Sequence, residues 1–445
     1  MSAESKQPTT APKIAEKHLE DLIKDALSAM QVQLPLALAV SGGGDSVALM
    51  HLVAVWARDK GFDTKTIFVL TVDHGLRPAA AAEAGQVAAW AGALGLSHET
   101  LHWEGDKPQS RIQEKARAAR YDLMGEWCAA HQVENLLLAH TASDQTETVG
   151  MRFLKGSGTR GLAGMQATTE LPQGVRLIRP LLAAGGDDLR TWLAKRELPW
   201  FEDPSNENQS YDRVRMRRML EGDAPLAAQL DSLNDQASDA RSAMEQATDD
   251  LLRDGAKLNS GLWAQVDRRI FRSAPPAIIA QALSRMILAL GGGAYQAPQG
   301  ALSQLTETIF AVDFKAATLG RCIIAADGPQ NLLIGREGRN ITSLALTAEQ
   351  EDVWDNRIRV GTNRKVEICA LGQWNMEKLS KQMRDEIKEV LPPLFRPAAM
   401  AVVFEDGQEA IPFAGIGDWT GLEASFGGFA PFGAQSLKAS LSTGC

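Results

Sequence analysis

The sequence predicts an α/β fold: a doubly wound, five-stranded parallel sheet, followed by a helical region and a small α+β domain. In the first two hundred residues, short apolar runs alternate with longer helical patterns, as in a parallel sheet covered on both faces. The first apolar run leads directly into a glycine-rich loop and then a helix. Such sheets bind ligands outside the carboxyl ends of their strands.

The predicted elements of this region alternate along the chain. Its strands are residues 36–40, 66–72, 97–103, 135–139 and 177–181. A helix follows each strand, at residues 45–60, 78–94, 111–131, 144–154 and 187–196. Apart from residues 97–103, the strands are short and mostly apolar, as expected where both faces of a sheet are buried.

The pattern changes after about residue 215. Residues 220–258 have a helical pattern, and short strands begin near residue 318, with one helix at residues 377–389. We therefore expect five segments in chain order. They are a disordered tail at 1–20, the α/β domain at 21–218, a helical region at 219–315, a small α+β domain at 316–425 and a flexible tail at 426–445.

Composition is that of an ordinary globular protein, with 445 residues of which 44% are hydrophobic and 23% charged. No uncharged apolar run reaches the length of about 18 residues that predicts a membrane-spanning helix. The polar start of the sequence has no apolar signal-peptide centre, so we expect a cytoplasmic protein with no membrane partner. The net charge of −9 argues against a basic surface for nonspecific DNA binding, but not against a local basic cluster.

The four cysteines lie far apart in the sequence. They are Cys128, Cys322, Cys369 and Cys445. No two of them have C-x-x-C spacing, so the sequence predicts neither a zinc site nor an iron–sulfur site. Isolated thiols in a reducing compartment are the simpler interpretation.

A phosphate site is predicted at the loop Ser41-Gly42-Gly43-Gly44-Asp45-Ser46, which joins the first strand to the first helix. Glycines let the backbone approach a ligand, and a helix N-terminus presents unpaired N–H groups and partial positive charge. Asp45 beside a phosphate requires a cation between them, so we expect Mg²⁺ there. A plain helix cap is the alternative, because Asp and Ser are common N-cap residues.

The loop is not a Walker A motif, which needs a lysine, nor a G-x-G-x-x-G motif, because Val47 replaces the last glycine. Further motifs follow it in order. They are Val72-Asp73-His74-Gly75-Leu76-Arg77, Gln113-Glu114-x-Ala116-Arg117-x-x-Arg120-Tyr121, Ala139-His140, Asp144-Gln145-x-Glu147-Thr148, Gly156-Ser157-Gly158-x-x-Gly161-Leu162-x-Gly164-Met165, Arg179-Pro180-Leu181-Leu182, Glu202-Asp203-x-Ser205-Asn206 and Tyr211-x-Arg213-x-Arg215-Met216-Arg217.

These motifs carry a resemblance to known families. The loop resembles the PP-loop of the N-type ATP pyrophosphatases, which split ATP into AMP and pyrophosphate. The ordered set, over roughly residues 34–218, resembles the tRNA(Ile)-lysidine synthetase family. A looser likeness to the tRNA-binding C-terminal region of that family extends over residues 354–414.

The resemblance implies a ligase that forms a carbon–nitrogen bond and uses ATP and Mg²⁺. Its implied substrates are free L-lysine and the isoleucine tRNA with a CAU anticodon. ATP adenylates O2 of the wobble cytidine at position 34 of that tRNA, and pyrophosphate leaves. The ε-amine of lysine then attacks C2 and displaces AMP, giving lysidine.

The residues and the resemblance together indicate a set of site residues. Catalytic roles are expected for Asp45, Asp144 and Arg217, and a metal site for Asp45 and Asp144. Contacts with ATP are expected from Ser41, Gly42, Gly43, Gly44, Asp45, Ser46, Asp73 and His74. Contacts with tRNA or lysine are expected from Glu114, Arg117, His140, Arg152, Arg213 and Arg215.

Simpler structural roles compete with these. Asp144 is either a helix cap or a carboxylate that joins Asp45 around Mg²⁺ or, like Asp73, accepts a proton from lysine. The arginines at 213–218 form either a solvated helix start or phosphate and base contacts. Residues 156–165 are too rich in glycine for a helix, and we expect a flexible segment that covers the substrate.

The chain departs from the family pattern at three positions. Thr141 stands where the family usually has a second histidine, Ser143 where an acidic residue is common, and Val214 where an asparagine is usual. These departures leave open which side chains complete the metal and lysine sites.

Two other functions compete with the ligase. A tRNA thiolase of the same superfamily is one, although such enzymes need paired cysteines for a persulfide or an iron–sulfur cluster. A nucleotide- or tRNA-binding protein without catalysis is the other.

Overall fold

A computed structural model describes residues 16–75, 80–104, 112–202, 212–259, 262–293, 295–374, 379–426 and 435–438. The chain forms two compact units, Met1–Arg241 and Ser242–Cys445. Several predicted motif residues lie outside the described residues. They are Leu76, Arg77, Asp203, Ser205, Asn206, Tyr211 and Cys445, together with the side chains of Gln113 and Glu114.

The first unit alternates strands and helices for most of its length. Its elements are α1 (Glu16–Ala29), β1 (Leu36–Ala39), α2 (Gly44–Asp59), β2 (Ile67–Asp73), α3 (Ala80–Ala93), β3 (Ser97–His102), α4 (Ile112–Ala130), β4 (Asn135–Leu137), α5 (Ala142–Leu154), α6 (Thr159–Leu162), β5 (Thr168–Glu170), β6 (Arg176–Ile178), α7 (Gly186–Lys195) and α8 (Asp212–Gly222). The helix α9 (Ala224–Gly255) begins in this unit and ends in the second.

The sheet of the first unit has the strand order β3-β2-β1-β4-β6-β5. All pairings are parallel except that of β5 with β6, which is antiparallel. The predicted fold class is therefore confirmed, but the sheet has six strands rather than five. The direction of chain winding reverses between β1 and β4, which makes the crevice beyond their carboxyl ends the expected ligand site.

Helices cover both faces of this sheet. Leu38 of β1 belongs to an apolar cluster with the α2 side chains, whereas its neighbour Ala37 belongs to a second cluster with Met124 and Cys128 of α4. Successive strand residues point to opposite faces, so two clusters on alternate residues mean two buried faces. This burial explains why the inner strands β1, β2 and β4 are mostly apolar in sequence.

The predicted disordered tail at residues 1–20 is partly wrong, because α1 begins at Glu16. Leu19, Ile23 and Leu27 are each 1% exposed and lie four residues apart, so they form one apolar helix face. That face packs into the same cluster as α2. Residues 1–15 lie outside the described part of the chain.

The second unit is built mostly from antiparallel strands. Its elements are β7 (Ala256–Asn259), β8 (Trp263–Asp267), α10 (Arg268–Arg272), α11 (Pro276–Gly291), α12 (Gln299–Thr308), β9 (Ala316–Leu319), β10 (Cys322–Asp327), β11 (Asn331–Arg336), β12 (Leu344–Leu346), β13 (Gln350–Trp354), β14 (Ile358–Thr362), β15 (Val366–Ala370), α13 (Lys381–Val390), β16 (Met400–Phe404), β17 (Glu409–Ile411), β18 (Ile416–Gly417), β19 (Leu422–Phe426) and β20 (Gln435–Lys438). The sheets have the orders β7-β8-β11-β10-β9, β12-β15-β16-β17-β18 and β13-β14-β19-β20.

Two predictions for this unit need correction. The segment 219–315, predicted to be helical, contains β7 and β8, which pair with each other and, through β8, with β11. The segment 426–445, predicted to be flexible, contains β20, which pairs with β19. In both cases the structure depends on pairing with another strand. The local sequence pattern does not show such pairing.

No helix in the described ranges is both long enough and apolar enough to span a membrane.

A buried carboxylate organises the turn between β13 and β14. Asp355, whose side chain is 1% exposed, accepts hydrogen bonds from Arg321 (2.9 Å), from Arg336 (2.9 Å to each oxygen) and from Arg357 (2.8 Å). Burial lowers the pKa of Arg357, and the neighbouring Asp355 charge acts in the opposite direction. Asp355 therefore compensates guanidinium groups that have left water.

We expect Asp355→Ala to destabilise the second unit by about 3 to 5 kcal/mol, because buried arginines would lose their counter-charge. Urea titration, read by hydrogen exchange in β13 and β14, measures this loss. The control is Glu351→Ala in the same hairpin, where Glu351 lies 3.9 Å from Arg359 and both side chains are mostly exposed. The control should change stability by less than about 1 kcal/mol; equal effects of the two variants would contradict the expectation.

Candidate functional site

The conformation of the phosphate loop is fixed by the segment after α7. Gly42 has a φ of +87°, and a Cβ at this position would lie 2.6 Å from the Phe201 ring. The backbone N–H of Phe201 donates to the Gly42 carbonyl at 2.9 Å, and Phe201 also forms a β-bridge with Gly43. Glycine at 42 is therefore required both for the backbone conformation and for space.

The two serines of the loop hold its ends together. The Ser46 hydroxyl donates to the Gly43 carbonyl at 2.8 Å, and the Ser41 N–H donates to the Ser46 oxygen at 3.2 Å. The N-cap of α2 is Gly43, and no side chain caps this helix. The first turn of α2 can therefore direct its N–H groups at an anion, as a phosphate site needs.

Asp45 lies in this first turn with an unusual carboxyl group. Burial raises the pKa of Asp45 to about 6; Arg190 opposes the shift, Asp144 adds to it, and Arg217 opposes it. Its Oδ1 is buried without a hydrogen-bond partner among the described residues and lies 3.7 Å from Arg190. An unpartnered carboxylate oxygen close to a second carboxylate fits a divalent cation.

Asp144 is the N3 residue of α5. Its Oδ2 accepts from the backbone N–H of Thr141 at 2.8 Å and from the Thr141 hydroxyl at 3.2 Å. Its Oδ1 accepts from Arg213. The residue that replaces the usual histidine, Thr141, thus helps to orient Asp144, and the helix-cap role coexists with a position beside Asp45.

Glu147, for which the sequence analysis proposed no role, is the centre of a charged cluster. Its side chain is 2% exposed, and its two oxygens accept from Arg213 Nε and Arg217 Nε at 2.6 Å each. The hydrogen bond to Glu147 is the main cause that raises the pKa of Arg217. Two spacings could have indicated this cluster: Asp144 and Glu147 at i, i+3 on α5, and Arg213 and Arg217 at i, i+4 on α8.

The structure places the departure at Val214 on the buried side of α8, with 8% exposure. An apolar residue is suited to this buried position. Valine in place of asparagine therefore removes no exposed polar group. Arg215 points elsewhere, since it forms an ion pair with Asp212 of its own helix.

The end of β2 forms a separate polar group at the same edge of the sheet. Asp73 accepts from the Gly75 N–H at 2.8 Å, so it fixes the turn after β2. The ring of His74 contacts the Trp103 ring edge-on at 5.8 Å, and His74 Nε2 lies 3.3 Å from an Arg120 nitrogen. Asp73 and His74 therefore come to the rim of the sheet, as predicted for strand ends.

His140 follows β4 and is uncharged at neutral pH. Burial lowers the pKa of His140 to about 4, with Asp144 acting in the opposite direction. Its buried Nδ1 has no hydrogen-bond partner in the described part of the chain. Arg117 acts electrostatically on His140, and its guanidinium lies over the Tyr121 ring at 5.2 Å from the centroid.

The glycine-rich segment 156–165 differs from its prediction. It contains the one-turn helix α6 and is attached by side chains from α5 and α9. Arg152 donates to the carbonyls of Gly161 and Gly164 at 2.8 and 3.0 Å, and Arg241 donates to that of Ala163 at 3.0 Å. The prediction that residues 156–165 contain no helix was thus wrong. Arg152, predicted to contact tRNA or lysine, contacts this segment of the protein.

The described residues contain no group of three or more histidine, cysteine, aspartate or glutamate side chains that could hold a metal ion.

The chain is similar to known proteins along most of its length. The PP-loop domain family profile matches residues 12–223. The tRNA(Ile)-lysidine synthase of Ruegeria pomeroyi is 37% identical over 360 residues, which cover 79% of this chain and 84% of that protein. That of Hyphomonas neptunium is 36% identical over 319 residues, covering 68% and 81%. That of Rhodopseudomonas palustris is 43% identical over 224 residues, covering 50% and 63%.

We expect Asp45→Asn to stabilise the protein in buffer without divalent cations, and more at pH 7 than at pH 4.5. The folded pKa of Asp45, about 6, is above the ordinary 3.8, so the folded state holds its proton to higher pH. Its contribution to stability therefore falls as pH rises between these values, and asparagine removes that loss. Urea midpoints at the two pH values measure the difference. Asp59→Asn, at the exposed end of α2, should show no such dependence of stability on pH. The same dependence in both variants would contradict the prediction.

Proposed function

The chain belongs to the tRNA(Ile)-lysidine synthase family, and we propose that it joins free L-lysine to C2 of the wobble cytidine of the CAU-anticodon isoleucine tRNA. ATP supplies the energy and leaves as AMP and pyrophosphate. As a ligase that acts on tRNA, it is proposed to work in the cytoplasm.

One observation carries this proposal. Asp45 after β1 and Asp144 after β4 lie near enough for the charge of Asp144 to raise the pKa of Asp45, and Arg217 is close enough to lower it. Two carboxylates and an arginine whose charges act on one another, at the switch point of the sheet beside the glycine-rich loop, support the proposal. Adenylate chemistry needs such a site, because it must bind a triphosphate and stabilise the pyrophosphate that leaves.

In the first half-reaction, O2 of cytidine attacks the α-phosphorus of ATP and the bond to the β-phosphate breaks. The proposed contacts of ATP are the N–H groups of the first turn of α2 and the hydroxyls of Ser41 and Ser46. Mg²⁺, when bound by Asp45 and Asp144, would neutralise phosphate charge. Arg217, held by Glu147, supplies a cation for the charge that develops on the phosphates.

In the second half-reaction, the ε-amine of lysine attacks C2 and AMP leaves. The amine must lose a proton, and we propose that Asp144 or Asp73 accepts it. His140 is proposed to contact the target base, because its imidazole is neutral and its Nδ1 is buried without a partner in the described residues. Arg213, Arg215, Arg117 and Glu114 are proposed to contact tRNA or lysine. Arg152 is proposed to position the segment 156–165, to whose carbonyls at Gly161 and Gly164 it donates.

The tRNA is much larger than the first unit, so we propose that the segments 219–315 and 316–425 contribute contacts to it.

The thiolase alternative fits less well. Cys128 is the single cysteine of the first unit, and burial raises its pKa to about 12, which leaves little thiolate for sulfur chemistry.

The decisive experiment uses the full chain with the CAU-anticodon isoleucine tRNA, ATP and isotopically labelled lysine. Mass analysis of the tRNA nucleosides should show one labelled lysine on cytidine, and pyrophosphate release over many turnovers should require both tRNA and lysine. Pyrophosphate release over many turnovers without lysine in the tRNA would reject the proposal, and so would sulfur incorporation.

We expect Asp45→Ala to lower lysine incorporation by about a hundredfold or more, because the phosphate site would lose its metal carboxylate. Incorporation per enzyme is the measurement. Asp59→Ala, at the far end of the same helix, is the matched control and should retain activity. Unimpaired incorporation by Asp45→Ala would show that this carboxylate has no role.

We expect Glu147→Gln to lower kcat by roughly tenfold to a thousandfold, because both arginines would lose a charged acceptor. The loss should be in kcat more than in the KM for lysine or ATP. The reason is that the arginines would shift away from the charge that they stabilise in the transition state. Thermal unfolding separates this effect from loss of fold, because a neutral glutamine in the buried site also costs stability. A variant that folds and has the wild-type kcat would contradict the expectation.

A further inference from the structure

Arg190 of α7 lies where the N-termini of α2 and α7 come together. Its Cγ would lie 3.3 Å from a Cβ at Gly44, the first residue of α2. Its guanidinium nitrogens would lie 3.5 and 3.8 Å from a Cβ at Gly186, the first residue of α7. Arg190 therefore lies against the first residue of both helices, at ordinary van der Waals distance from Gly186 and slightly closer to Gly44.

The guanidinium is only partly used by the protein. Within the described part of the chain, its hydrogen bond is to Asp187, at 2.8 Å, and Asp187 is 98% exposed, so solvent weakens this pair. Asp45 Oδ1 lies 3.7 Å from Arg190, which is too far for a hydrogen bond. The arginine side chain is 45% exposed, so N–H donors remain available to a ligand.

We propose that Arg190 binds the β- and γ-phosphates of ATP and stabilises the pyrophosphate that leaves. This inference rests on the proposed function, because it adds a residue to the same adenylation step. When the bond between the α-phosphorus and its bridging oxygen breaks, the electron pair stays on that oxygen. The guanidinium donates hydrogen bonds to the pyrophosphate and transfers no proton.

The placement explains why an arginine is useful here despite two nearby aspartates. The N–H groups of α2 can reach only the phosphate oxygens in front of the helix. A planar guanidinium at the side of the same turn can bind two further oxygens at once. It also gives Asp45 a partial counter-charge, so one side chain serves both the carboxylate and the leaving group.

The test compares Arg190→Gln and Arg190→Lys with wild type in the lysine-incorporation assay, with inorganic pyrophosphate as inhibitor. We expect Arg190→Gln to raise the inhibition constant for pyrophosphate and the KM for ATP by roughly tenfold or more. Arg190→Lys should fall between, because lysine keeps the charge but not the two-point contact. The control is Arg58→Gln on the exposed end of α2, which should match wild type.

The outcomes separate this inference from the proposed function. If wild type releases no pyrophosphate, the proposed function fails. If wild type is active but the Arg190 variants have its inhibition constant for pyrophosphate and its KM for ATP, the inference alone fails. If an Arg190 variant leaves pyrophosphate inhibition unchanged but moves the acid limb of the profile of kcat against pH to higher pH, Arg190 serves only as a counter-charge for Asp45. That result would overturn the proposal. Thermal unfolding of each variant, together with Arg190→Lys, identifies any loss of fold.

Discussion

The balance of charge around the carboxylates of Asp45 and Asp144 is the constraint on which the candidate site depends. Both residues follow the carboxyl ends of β1 and β4, the neighbouring strands between which the direction of winding reverses, and each side chain is partly removed from water. Carboxylates this close need positive charge, and the chain brings it from two later helices, as Arg190 on α7 and Arg213 and Arg217 on α8. The sheet therefore orders the carboxylates, while helices distant in sequence complete the balance of charge.

Much of the first unit could be predicted from sequence because its signals are local. The strand β1, the glycine loop and α2 are consecutive, and the inner parallel strands are mostly apolar since both their faces are buried. The strand β5 could not be predicted, because its residues, Thr-Thr-Glu, are polar and are paired along one side only. β7, β8 and β20 were missed for a related reason: each depends on a partner that the local sequence does not specify.

The candidate site shows the same division. Asp45, Asp144 and Arg217 could be chosen from motifs and resemblance, and the structure brings their charges together. The contribution of Glu147 depends on how α8 packs against α5, which the sequence does not show. Arg190 has the pattern of an ordinary solvated helix residue, and only the packing of α7 beside α2 places it next to the loop.

The cap of α5 has a consequence for the denticity of a bound cation. Asp144 Oδ2 is occupied by the Thr141 N–H and hydroxyl, so Asp144 can offer a cation only its other oxygen, in exchange for Arg213. Asp45 likewise has one buried oxygen without a partner in the described residues. If these two oxygens held a cation, phosphate oxygens of the nucleotide and water would have to supply its remaining ligands. The affinity of the protein for the cation would then depend on ATP.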